Sequence, residues 1–343
     1  METLHYQIGQ SATAFFFGVD LHARLEALNK EKCVLITDEN VYKAHTSIFD
    51  GFFYVVIAPG EENKIQKTVD DVIQKLLDHQ MTSQHVLVGV GGGVVTDIAG
   101  FVASIFKRGM PLILAPTSVL AIVDAALGGK NGINVGRYKN MLGTVYQPKE
   151  VWFDPQLLSS LPVAEWINGC AEIIKHAWIA DEDLLALLEK HDIDFFRNET
   201  SFLYDIIKRN VKIKMDIVIQ DPLDKKQRRW LNFGHTIGHA IEKQMNIPHG
   251  HAVSIGMVIA AKLSHLHTGL PFQQVNRMIS LLKKYQLPVD FNVDIDALFD
   301  NLLQDKKREG DTMNFILLQN PGKPVVTAIQ LSLLHNLLKA IIS

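Results

Sequence analysis

The chain has 343 residues, of which 47% are hydrophobic and 21% are charged, close to the composition of ordinary globular proteins. This composition excludes a disordered chain, a collagen-like polymer and a small disulfide-stapled domain. The 34 basic and 37 acidic side chains give a formal net charge of −3, which excludes recognition of nucleic acid or an anionic membrane through bulk charge. At about 150 residues per domain, the length predicts about two domains.

The cysteines and the start of the chain predict a cytoplasmic protein. Cys33 and Cys170 each lie in an apolar run, as reduced, buried thiols do. The opening METLHYQIGQ lacks the basic-then-apolar pattern of a signal peptide. No stretch reaches the roughly 18 uninterrupted apolar residues of a membrane span. We therefore expect no membrane partner.

Short apolar runs alternate with helical patterns in the first half of the chain. Near-continuous apolar runs are typical of parallel strands that are covered on both faces. These runs lie at 33–37, 53–58, 86–90, 112–115 and 151–153. Between them, apolar residues recur at helical spacing over 65–77. The alternation predicts a doubly wound, Rossmann-like α/β domain with a parallel sheet over residues 1–155.

The second half has a different pattern, which is mostly helical. Apolar residues recur every three or four positions over 163–178, as on one face of a helix. Further helical patterns occupy 201–220, 233–245, 251–267 and 273–285. Near the end, 314–318 and 325–328 flank a Pro-Gly turn and predict a hairpin. We expect a mostly α-helical second domain over residues 156–343.

A glycine triplet, GGGVVTD from Gly91, follows the strand VLVGV and opens a helical run. Glycines at this position let backbone N–H groups approach a phosphate at the positive end of a helix, a reading we favour over a turn without ligand. The triplet differs from GxGxxG, which argues against an ordinary Rossmann dehydrogenase. The loops 38–40 and 59–64 follow other predicted strands, at the edge where α/β sheets place ligands, although each alone is typical of a structural turn.

Four histidines fall within 17 residues, at His235, His239, His249 and His251. His235 and His239 are four residues apart and share a helix face. Together with the neighbouring glycines they predict a divalent-metal site with room for a ligand. This cluster contains no obvious carboxylate. Glu172 is the best candidate, although spacing alone favours a solvated Glu172–Lys175 pair worth a few tenths of a kcal/mol.

Other charged residues leave two readings open. The glycine-rich segment 124–140 carries an Asp, two Lys and an Asn, and predicts either a grip on a phosphorylated polyol or a flexible connection between domains. Charges also stand in otherwise apolar surroundings at Lys214, Asp224, Arg228, Lys306 and Lys307. Taken singly, each of these is more often a solvated side chain.

Four motifs in a fixed order resemble those of the 3-dehydroquinate synthase family, sugar-phosphate cyclases of the shikimate pathway. They are GGGVVTD, PTSVLAIVDAALGGKNGIN, NGCAEIIKH and LNFGHTIGHAIE, within a resemblance that runs from DENV at 38 to DKK at 305–307. The resemblance implies conversion of 3-deoxy-D-arabino-heptulosonate 7-phosphate to 3-dehydroquinate and phosphate. The implied route is NAD-mediated transient oxidation, phosphate elimination, reduction and intramolecular aldol closure. Such an enzyme is a carbon-oxygen lyase of aromatic amino acid biosynthesis.

The resemblance also implies roles for individual residues. The metal, Zn²⁺ or Co²⁺, would be held by Glu172, His235 and His249. NAD would be bound by Asp38, Asn40, Glu61, Lys64, Gly92, Gly93, Asp97, Thr117, Ser118 and Lys139. The sugar-phosphate substrate would contact Arg108, Asp124, Lys130, Asn140, Lys175, Lys214, Arg228, Asn232 and Lys306. Catalysis would fall to His239, Asp224, Lys175, Asp124 and Lys214. Arg108 resembles a residue that reaches the phosphate site of a neighbouring subunit, which implies a homodimer.

The chain departs from the family pattern at several positions. Ala125-Ala126 replaces Ser-Ser, Asn131 replaces Thr, and Asp224 replaces a Glu whose carboxylate is one methylene longer. We expect an active enzyme with altered kinetics, because a displacement of about 1 Å can slow a reaction. The alternatives are a different sugar-phosphate cyclase, a glycerol dehydrogenase-like polyol dehydrogenase, for which the many basic residues would be superfluous, and a silent relative that only binds NAD and metal.

Overall fold

The computed structural model describes residues 2–136, 138–222, 224, 226–290, 294–303 and 308–342. The chain folds into two units, Met1–Glu165 and Trp166–Ser343. Within the described residues, the search for a helix of sufficient length and hydropathy to cross a membrane finds none.

The first unit is built on a seven-stranded sheet and a separate two-stranded hairpin. Its strands are β1 (Glu2–Ile8), β2 (Ser11–Phe17), β3 (Cys33–Asp38), β4 (Phe53–Ile57), β5 (Val86–Gly91), β6 (Leu112–Pro116), β7 (Lys130–Val135), β8 (Tyr138–Val145) and β9 (Glu150–Phe153). The large sheet has the order β1-β2-β9-β6-β5-β3-β4, and β7 pairs with β8. Only the β1–β2 pair of the large sheet is antiparallel.

Helices cover this sheet where the sequence pattern requires burial. They are α1 (Leu21–Glu26), α2 (Glu39–Ala44), α3 (Gln66–Asp78) and α4 (Gly93–Ile105). On α3 the apolar stripe of Val69, Val72 and Leu76 is buried while the polar face is exposed. Most of α4 is buried, in agreement with its almost uniformly apolar sequence. The predicted doubly wound α/β fold with a parallel sheet is confirmed.

The strand order places a switch point between β3 and β5. From β3 the chain moves to β4 on one side, and from β5 it moves to β6 on the other. In open α/β sheets, ligands bind at the carboxyl ends of the strands beside such a point. The first unit therefore has a topological reason to bind a ligand near Asp38 and the glycines that follow β5.

The second unit is helical, as expected, with one small antiparallel sheet. Its helices are α5 (Val163–Ala180, which begins in the first unit), α6 (Glu182–Lys190), α7 (Ile193–Asn198), α8 (Thr200–Gln220), α9 (His235–Met245), α10 (His249–Thr268), α11 (Phe272–Lys284), α12 (Ile295–Leu303) and α13 (Leu331–Ile342). Its strands are β10 (Arg308–Glu309), β11 (Thr312–Asn320) and β12 (Lys323–Gln330). The predicted late hairpin is the β11–β12 pair. Side chains of α9, α10, α12, α13 and this hairpin form one apolar core, which includes Ile237, Leu263, Phe315 and Leu338.

Candidate functional site

Several of the residues predicted to bind NAD lie where parallel strands end. Asp38 is the last residue of β3, and its Oδ1 accepts the backbone N–H groups of Asn40 and Val41 at 2.8 and 3.0 Å, which caps α2. Gly92 follows β5 and precedes α4, and Thr117 follows β6. Carboxyl ends of parallel strands share one edge of a sheet, so these predicted contacts lie along one edge.

A buried ion pair occupies the loop after β4. Lys64 Nζ donates to Asp97 Oδ2 at 2.9 Å and lies 3.2 Å from Glu61 Oε1, while only 5% of Lys64 is exposed. Burial raises the pKa of Asp97 to about 6, although the Lys64 ammonium opposes this shift. Burial would lower the pKa of Lys64, but the two carboxylates together outweigh it and raise that pKa. Lys64 is therefore a charged, nearly inaccessible group at the predicted NAD site.

Asn134 connects this loop to the β7–β8 hairpin. Its Nδ2 donates to Glu61 Oε1 at 2.9 Å and to the Glu61 carbonyl at 3.2 Å, and its backbone N–H donates to the Lys64 carbonyl at 2.7 Å. Its Oδ1 accepts the Asn140 backbone N–H at 2.9 Å. Asn140 has a φ of 52°, in the left-handed region. The Asn134 side-chain amide therefore holds both Glu61, a predicted NAD residue, and Asn140, a predicted substrate residue.

The glycines Gly91, Gly92 and Gly93 at the end of β5 and the start of α4 have different structural requirements. A Cβ on Gly91 would lie 2.5 Å from the Val95 side chain, so packing requires this glycine. A Cβ on Gly92 would lie 3.4 Å from Ser118 Oγ, and one on Gly93 would lie 3.5 Å from Ala125 Cβ, both ordinary contacts. Neither of the last two has a positive φ. Neither packing nor backbone conformation requires glycine at these two positions. Glycine there fits a ligand such as a pyrophosphate that is held against the backbone at the start of α4.

The segment 124–140 is largely ordered as a hairpin. Asp124 is half-buried in the turn Ala121–Ala125, and Lys130 begins β7 with its side chain exposed. Asn131, which replaces a family Thr, is buried and donates through Nδ2 to the carbonyls of Gly129 and Tyr146. The expectation of a flexible connection is therefore wrong for 130–135 and 138–145, because these residues form paired strands.

In the second unit, Glu172, His235 and His249 bring ligand atoms together within 4.8 Å. Glu172 Oε1 lies 3.3 Å from His235 Nε2 and 3.5 Å from His249 Nε2. Neighbouring ligands on a tetrahedral zinc with bonds of about 2.0–2.1 Å are about 3.3 Å apart. This oxygen is buried and accepts no hydrogen bond of good geometry from the described residues. One carboxylate and two imidazoles fit Zn²⁺ or Co²⁺, with coordination positions left over for a ligand.

The two histidines present the same nitrogen to Glu172. The other nitrogen of His235, Nδ1, lies 3.2 Å from the Phe233 carbonyl, while Nδ1 of His249 lies 3.4 Å from Glu242 Oε2. Burial and the nearby Lys175 ammonium lower the pKa of His235. Burial disfavours charge on His249 as well, but its contacts with the Glu172 and Glu242 carboxylates raise its pKa to about 10.

Glu172 and Lys175 form a buried ion pair, in which Lys175 Nζ donates to Glu172 Oε2. Both side chains are at most 1% exposed. The solvated pair favoured by spacing is therefore wrong, because both faces of this stretch of α5 are buried. Burial alone would raise the pKa of Glu172, but the Lys175 ammonium and the two histidines hold it well below its usual range.

Glycines hold the helices of this cluster together. A Cβ on Gly256 would lie 2.0 Å from the Gly234 carbonyl oxygen, so α10 and the start of α9 are in backbone contact. A Cβ on Gly250 would lie 2.0 Å from the Asn168 carbonyl oxygen, and the Gly250 N–H donates to Asn168 Oδ1 at 2.6 Å. These contacts place His235 and His249, the first residues of α9 and α10, beside α5.

The remaining predicted residues are placed as follows. His239 follows His235 by one turn, with ring centroids 5.2 Å apart, and its side chain is exposed. Lys214 and Arg228 are 6% and 2% exposed, so their reading as solvated charges is wrong. Asp224 is half-buried with a φ of 58°, and Asn232 is half-buried and donates to the Arg229 carbonyl at 3.2 Å. Lys306 and Lys307 lie outside the described residues, as does Arg137.

Arg228 belongs to a loop that Asp221 organises. Asp221 Oδ2 accepts the backbone N–H of Lys226 at 2.5 Å and that of Arg228 at 3.1 Å. The Arg228 side chain donates to the Pro222 carbonyl at 3.0 Å. Of the other predicted positions, Lys139 lies in β8 and is exposed, and Arg108 is exposed with a φ of 67°.

The sequence analysis did not identify three residues that hold site residues in place through hydrogen bonds. Asn134, Asn168 and Glu242 act through hydrogen bonds across 73, 82 and 7 positions of sequence. Only Glu242 had a local signal, because it lies seven residues after His235 and shares its helix face. The sequence offers no obvious carboxylate beside the histidines, and the structure places Glu172 against both of them and Glu242 against His249.

Comparisons with known proteins agree with these features. The family models 3-dehydroquinate synthase N-terminal and 3-dehydroquinate synthase C-terminal match residues 54–168 and 169–308. A 3-dehydroquinate synthase of Methylacidiphilum infernorum is 37% identical over 87% of this chain and 85% of its own length. One of Chlamydia pneumoniae is 44% identical over 69% of this chain, and the match spans 64% of that relative.

A solved 2-deoxy-scyllo-inosose synthase complexed with carbaglucose-6-phosphate, NAD⁺ and Co²⁺ has a TM-score of 0.87, with 26% identity over 99% of both chains. The resemblance seen in the motifs is thereby confirmed, and the chain belongs to the 3-dehydroquinate synthase family.

Proposed function

We propose that this chain is a 3-dehydroquinate synthase, a lyase that converts 3-deoxy-D-arabino-heptulosonate 7-phosphate to 3-dehydroquinate and inorganic phosphate. The observation that carries the proposal is the Glu172–His235–His249 group, in a chain of this family. A metal site of one carboxylate and two imidazoles fits an enzyme that polarises a substrate oxygen. The reaction would place the chain in the shikimate pathway.

The proposed cofactors are NAD and one divalent metal, Zn²⁺ or Co²⁺. When bound, NAD supplies reversible hydride transfer and the metal supplies Lewis-acid polarisation of a hydroxyl oxygen. We assign NAD binding to residues 1–155, through the side chains and glycines that the resemblance implies, and metal and substrate binding to residues 156–343. Support comes from the unexplained glycines Gly92 and Gly93, and from a related cyclase that binds both NAD⁺ and Co²⁺.

The buried cations of the second unit are the proposed recognition elements for an anionic substrate. Lys175, Lys214 and Arg228 are cations that are 1%, 6% and 2% exposed. A substrate with a phosphate and a carboxylate would accept charge-assisted hydrogen bonds from such side chains. His239 is the proposed proton carrier, because it is exposed beside His235 and an imidazole titrates near neutral pH. Asp224, Asp124, Lys130, Asn140, Asn232 and Lys306 complete the proposed substrate residues.

A second sugar-phosphate cyclase activity is the competing proposal. The structure of 2-deoxy-scyllo-inosose synthase is closely similar, with a TM-score of 0.87, but its sequence is only 26% identical. The two named 3-dehydroquinate synthases are 37% and 44% identical. Sequence therefore favours the heptulosonate substrate over a hexose phosphate.

The test compares two substrates under one assay. Protein with NAD⁺ and Zn²⁺ or Co²⁺ is given 3-deoxy-D-arabino-heptulosonate 7-phosphate or glucose 6-phosphate, and inorganic phosphate and cyclic product are measured. We expect phosphate and 3-dehydroquinate from the first substrate only. Turnover of glucose 6-phosphate alone would show the competing activity, and turnover of neither would contradict both.

We also propose that the enzyme is a cytoplasmic homodimer. Both cysteines are free and buried, as is usual in a reducing compartment. The β7–β8 hairpin exposes Met141 to 62%, Leu142 to 47% and Val145 to 57%, and among the described residues β8 pairs only with β7. A second copy of the chain would cover these apolar side chains and the free strand edge. Arg108 would then be available to the partner's phosphate site.

A further inference from the structure

We propose that Glu242 is a positioning residue that orients His249 for metal binding. Glu242 Oε2 lies 3.4 Å from His249 Nδ1, and the other ring nitrogen, Nε2, lies 3.5 Å from Glu172 Oε1. A proton on Nδ1 that is held by this carboxylate leaves the Nε2 lone pair directed at the Glu172 side. The inference rests on the metal centre of the proposed function and adds a residue to it.

His235 shows why His249 needs such a partner. His235 Nδ1 faces the carbonyl of Phe233, which is held by the backbone turn just before α9. His249 follows Pro248 at the start of α10, and its Nδ1 faces a side chain on α9. Both imidazoles thus present Nε2 to Glu172, one fixed by a backbone oxygen and the other by a carboxylate. A carboxylate partner also makes the imidazole a more basic ligand.

Two observations place Glu242 specifically for this role. It lies seven residues after His235 on the same face of α9, so one helix supplies a metal ligand and the partner of a second ligand. It is also 8% exposed, which is costly for a carboxylate without a compensating partner. The imidazole of His249, whose Nδ1 lies 3.4 Å from Glu242 Oε2, is such a partner.

The backbone of His249 is fixed separately. The N–H of Gly250 donates to Asn168 Oδ1 at 2.6 Å, which ties the first turn of α10 to α5. Loss of Glu242 should therefore release the ring of His249 without releasing the helix. This separation makes the role of Glu242 testable by metal binding in a folded protein.

The experiment measures metal affinity directly in protein stripped of metal. Zn²⁺ affinity is obtained by competition with a chromogenic chelator for wild type, Glu242→Ala, Glu242→Gln and the control Glu182→Ala, an exposed carboxylate at the start of α6. We expect Glu242→Ala to bind Zn²⁺ about 10–100-fold more weakly, the usual loss when such a partner is removed. Glu242→Gln should lose less, because its amide oxygen still accepts the Nδ1 proton, and the control should match wild type.

Cobalt absorption adds a readout that a loss of stability alone would not change. Visible bands of Co²⁺ report the ligand geometry, and we expect them to shift in Glu242→Ala and to return towards wild type in Glu242→Gln. Equal Zn²⁺ affinity and identical Co²⁺ bands in wild type and both Glu242 variants would overturn the proposal.

Two further outcomes also overturn it. Ligand atoms of His239, Glu242 and His249 also lie close enough together to hold a metal ion. If the wild-type protein binds two metal ions and Glu242→Ala loses only one of them, Glu242 is a metal ligand and not a positioning residue. A wild-type protein that binds no metal would overturn the proposed function as well. Failure of the positioning role alone leaves wild-type metal binding and phosphate release intact.

Discussion

Buried ionisable side chains mark both candidate sites. Lys64, Glu172, Lys175 and Arg228 are each 5% exposed or less. Charges taken out of water cost several kcal/mol each unless pairing offsets the loss, so their retention calls for partners or ligands. Lys64 pairs with Asp97, Lys175 pairs with Glu172, and Arg228 donates to the Pro222 carbonyl. An anionic cofactor and an anionic substrate are the ligands that we propose.

The substitution Asn134→Asp tests the link between the NAD loop and the hairpin. The new carboxylate would lack the Nδ2 donor and would face Glu61 Oε1, which now lies 2.9 Å from Nδ2. Loss of this bond and like-charge repulsion should weaken NAD⁺ binding about tenfold, or ~1.4 kcal/mol. Calorimetric titration with NAD⁺ measures this, with Asn29→Asp at a distant turn as control. Unchanged affinity in a folded variant would show that Asn134 has no effect on the cofactor site.

Asp97 predicts a pH dependence of stability in the absence of NAD. Its pKa of about 6 in the folded protein exceeds the ordinary value of 3.8, so the folded protein keeps this proton longer than the unfolded chain. The stabilisation is complete below pH 3.8 and is lost as the pH rises through 6, by at most about 3 kcal/mol. The melting temperature of wild type should therefore fall relative to Asp97→Asn between pH 4 and 7. A constant difference between the two proteins over this range would contradict the shift.

Individual site residues were predictable from the sequence only through the resemblance. Periodicity assigned Glu172 and Lys175 to the solvent face of α5, because an amphipathic pattern assumes that one face meets water. Both faces of this part of α5 are buried, so tertiary packing decides the environment of Glu172. The partners Asn134 and Asn168 act over 73 and 82 positions, which no local pattern records.

Among the secondary-structure elements, glycines within helices have two different causes. Around Gly256, backbone approach is so close that an added Cβ meets the Gly234 carbonyl oxygen at 2.0 Å. Around Gly93, the nearest atom would be 3.5 Å away. The first glycine serves helix packing, while we propose that the second leaves room for a cofactor.

We therefore expect Gly256→Ala to lose stability and Gly93→Ala to lose NAD⁺ affinity. Gly256→Ala should lower the free energy of unfolding by about 1–3 kcal/mol, the usual cost of overpacking. Gly93→Ala should keep wild-type stability but bind NAD⁺ at least about tenfold more weakly, because its methyl group occupies the space assigned to the ligand. Denaturant unfolding and calorimetry on both variants test this pair of predictions. A stable Gly256→Ala, or a Gly93→Ala with normal NAD⁺ affinity, would contradict the respective assignment.

Most elements were predictable because their patterns are strong. The five predicted parallel strands correspond to β3, β4, β5, β6 and β9, since burial on both faces makes each an apolar run. The antiparallel pair β1–β2 was missed. In β2 the buried residues Phe15 and Phe17 alternate with less buried ones, and a short alternation beside the polar β1 is a weak signal.

At the scale of the whole molecule, the proposed dimer carries a functional consequence. Arg108 is exposed, and both it and Lys107 have positive φ values, 67° and 46°, which are strained for non-glycine residues. Strain of this kind is common at functional sites, and we propose that Arg108 serves the partner's substrate site. Each site would then combine residues of two chains.

Mixing two inactive variants tests this sharing. Arg108→Ala and His239→Asn should each lose activity. In a mixed dimer, the site of the Arg108→Ala subunit keeps its own His239 and receives an intact Arg108 from the His239→Asn subunit. Random exchange of subunits in a two-fold dimer should restore about a quarter of wild-type activity. The double variant mixed with itself is the control. Absence of recovery in a preparation shown to contain mixed dimers would place Arg108 outside the neighbouring site.

The ratio of phosphate released to NAD⁺ supplied tests the central claim most directly. Wild-type protein is incubated with excess 3-deoxy-D-arabino-heptulosonate 7-phosphate, substoichiometric NAD⁺ and Zn²⁺ or Co²⁺, with and without a chelator. We predict many phosphates per NAD⁺ with no accumulation of NADH, and loss of release with the chelator, because hydride returns to the substrate within each turnover. Conversion of the supplied NAD⁺ to NADH without phosphate release would indicate a polyol dehydrogenase, and no phosphate from a protein that binds NAD⁺ and metal would contradict the assigned function.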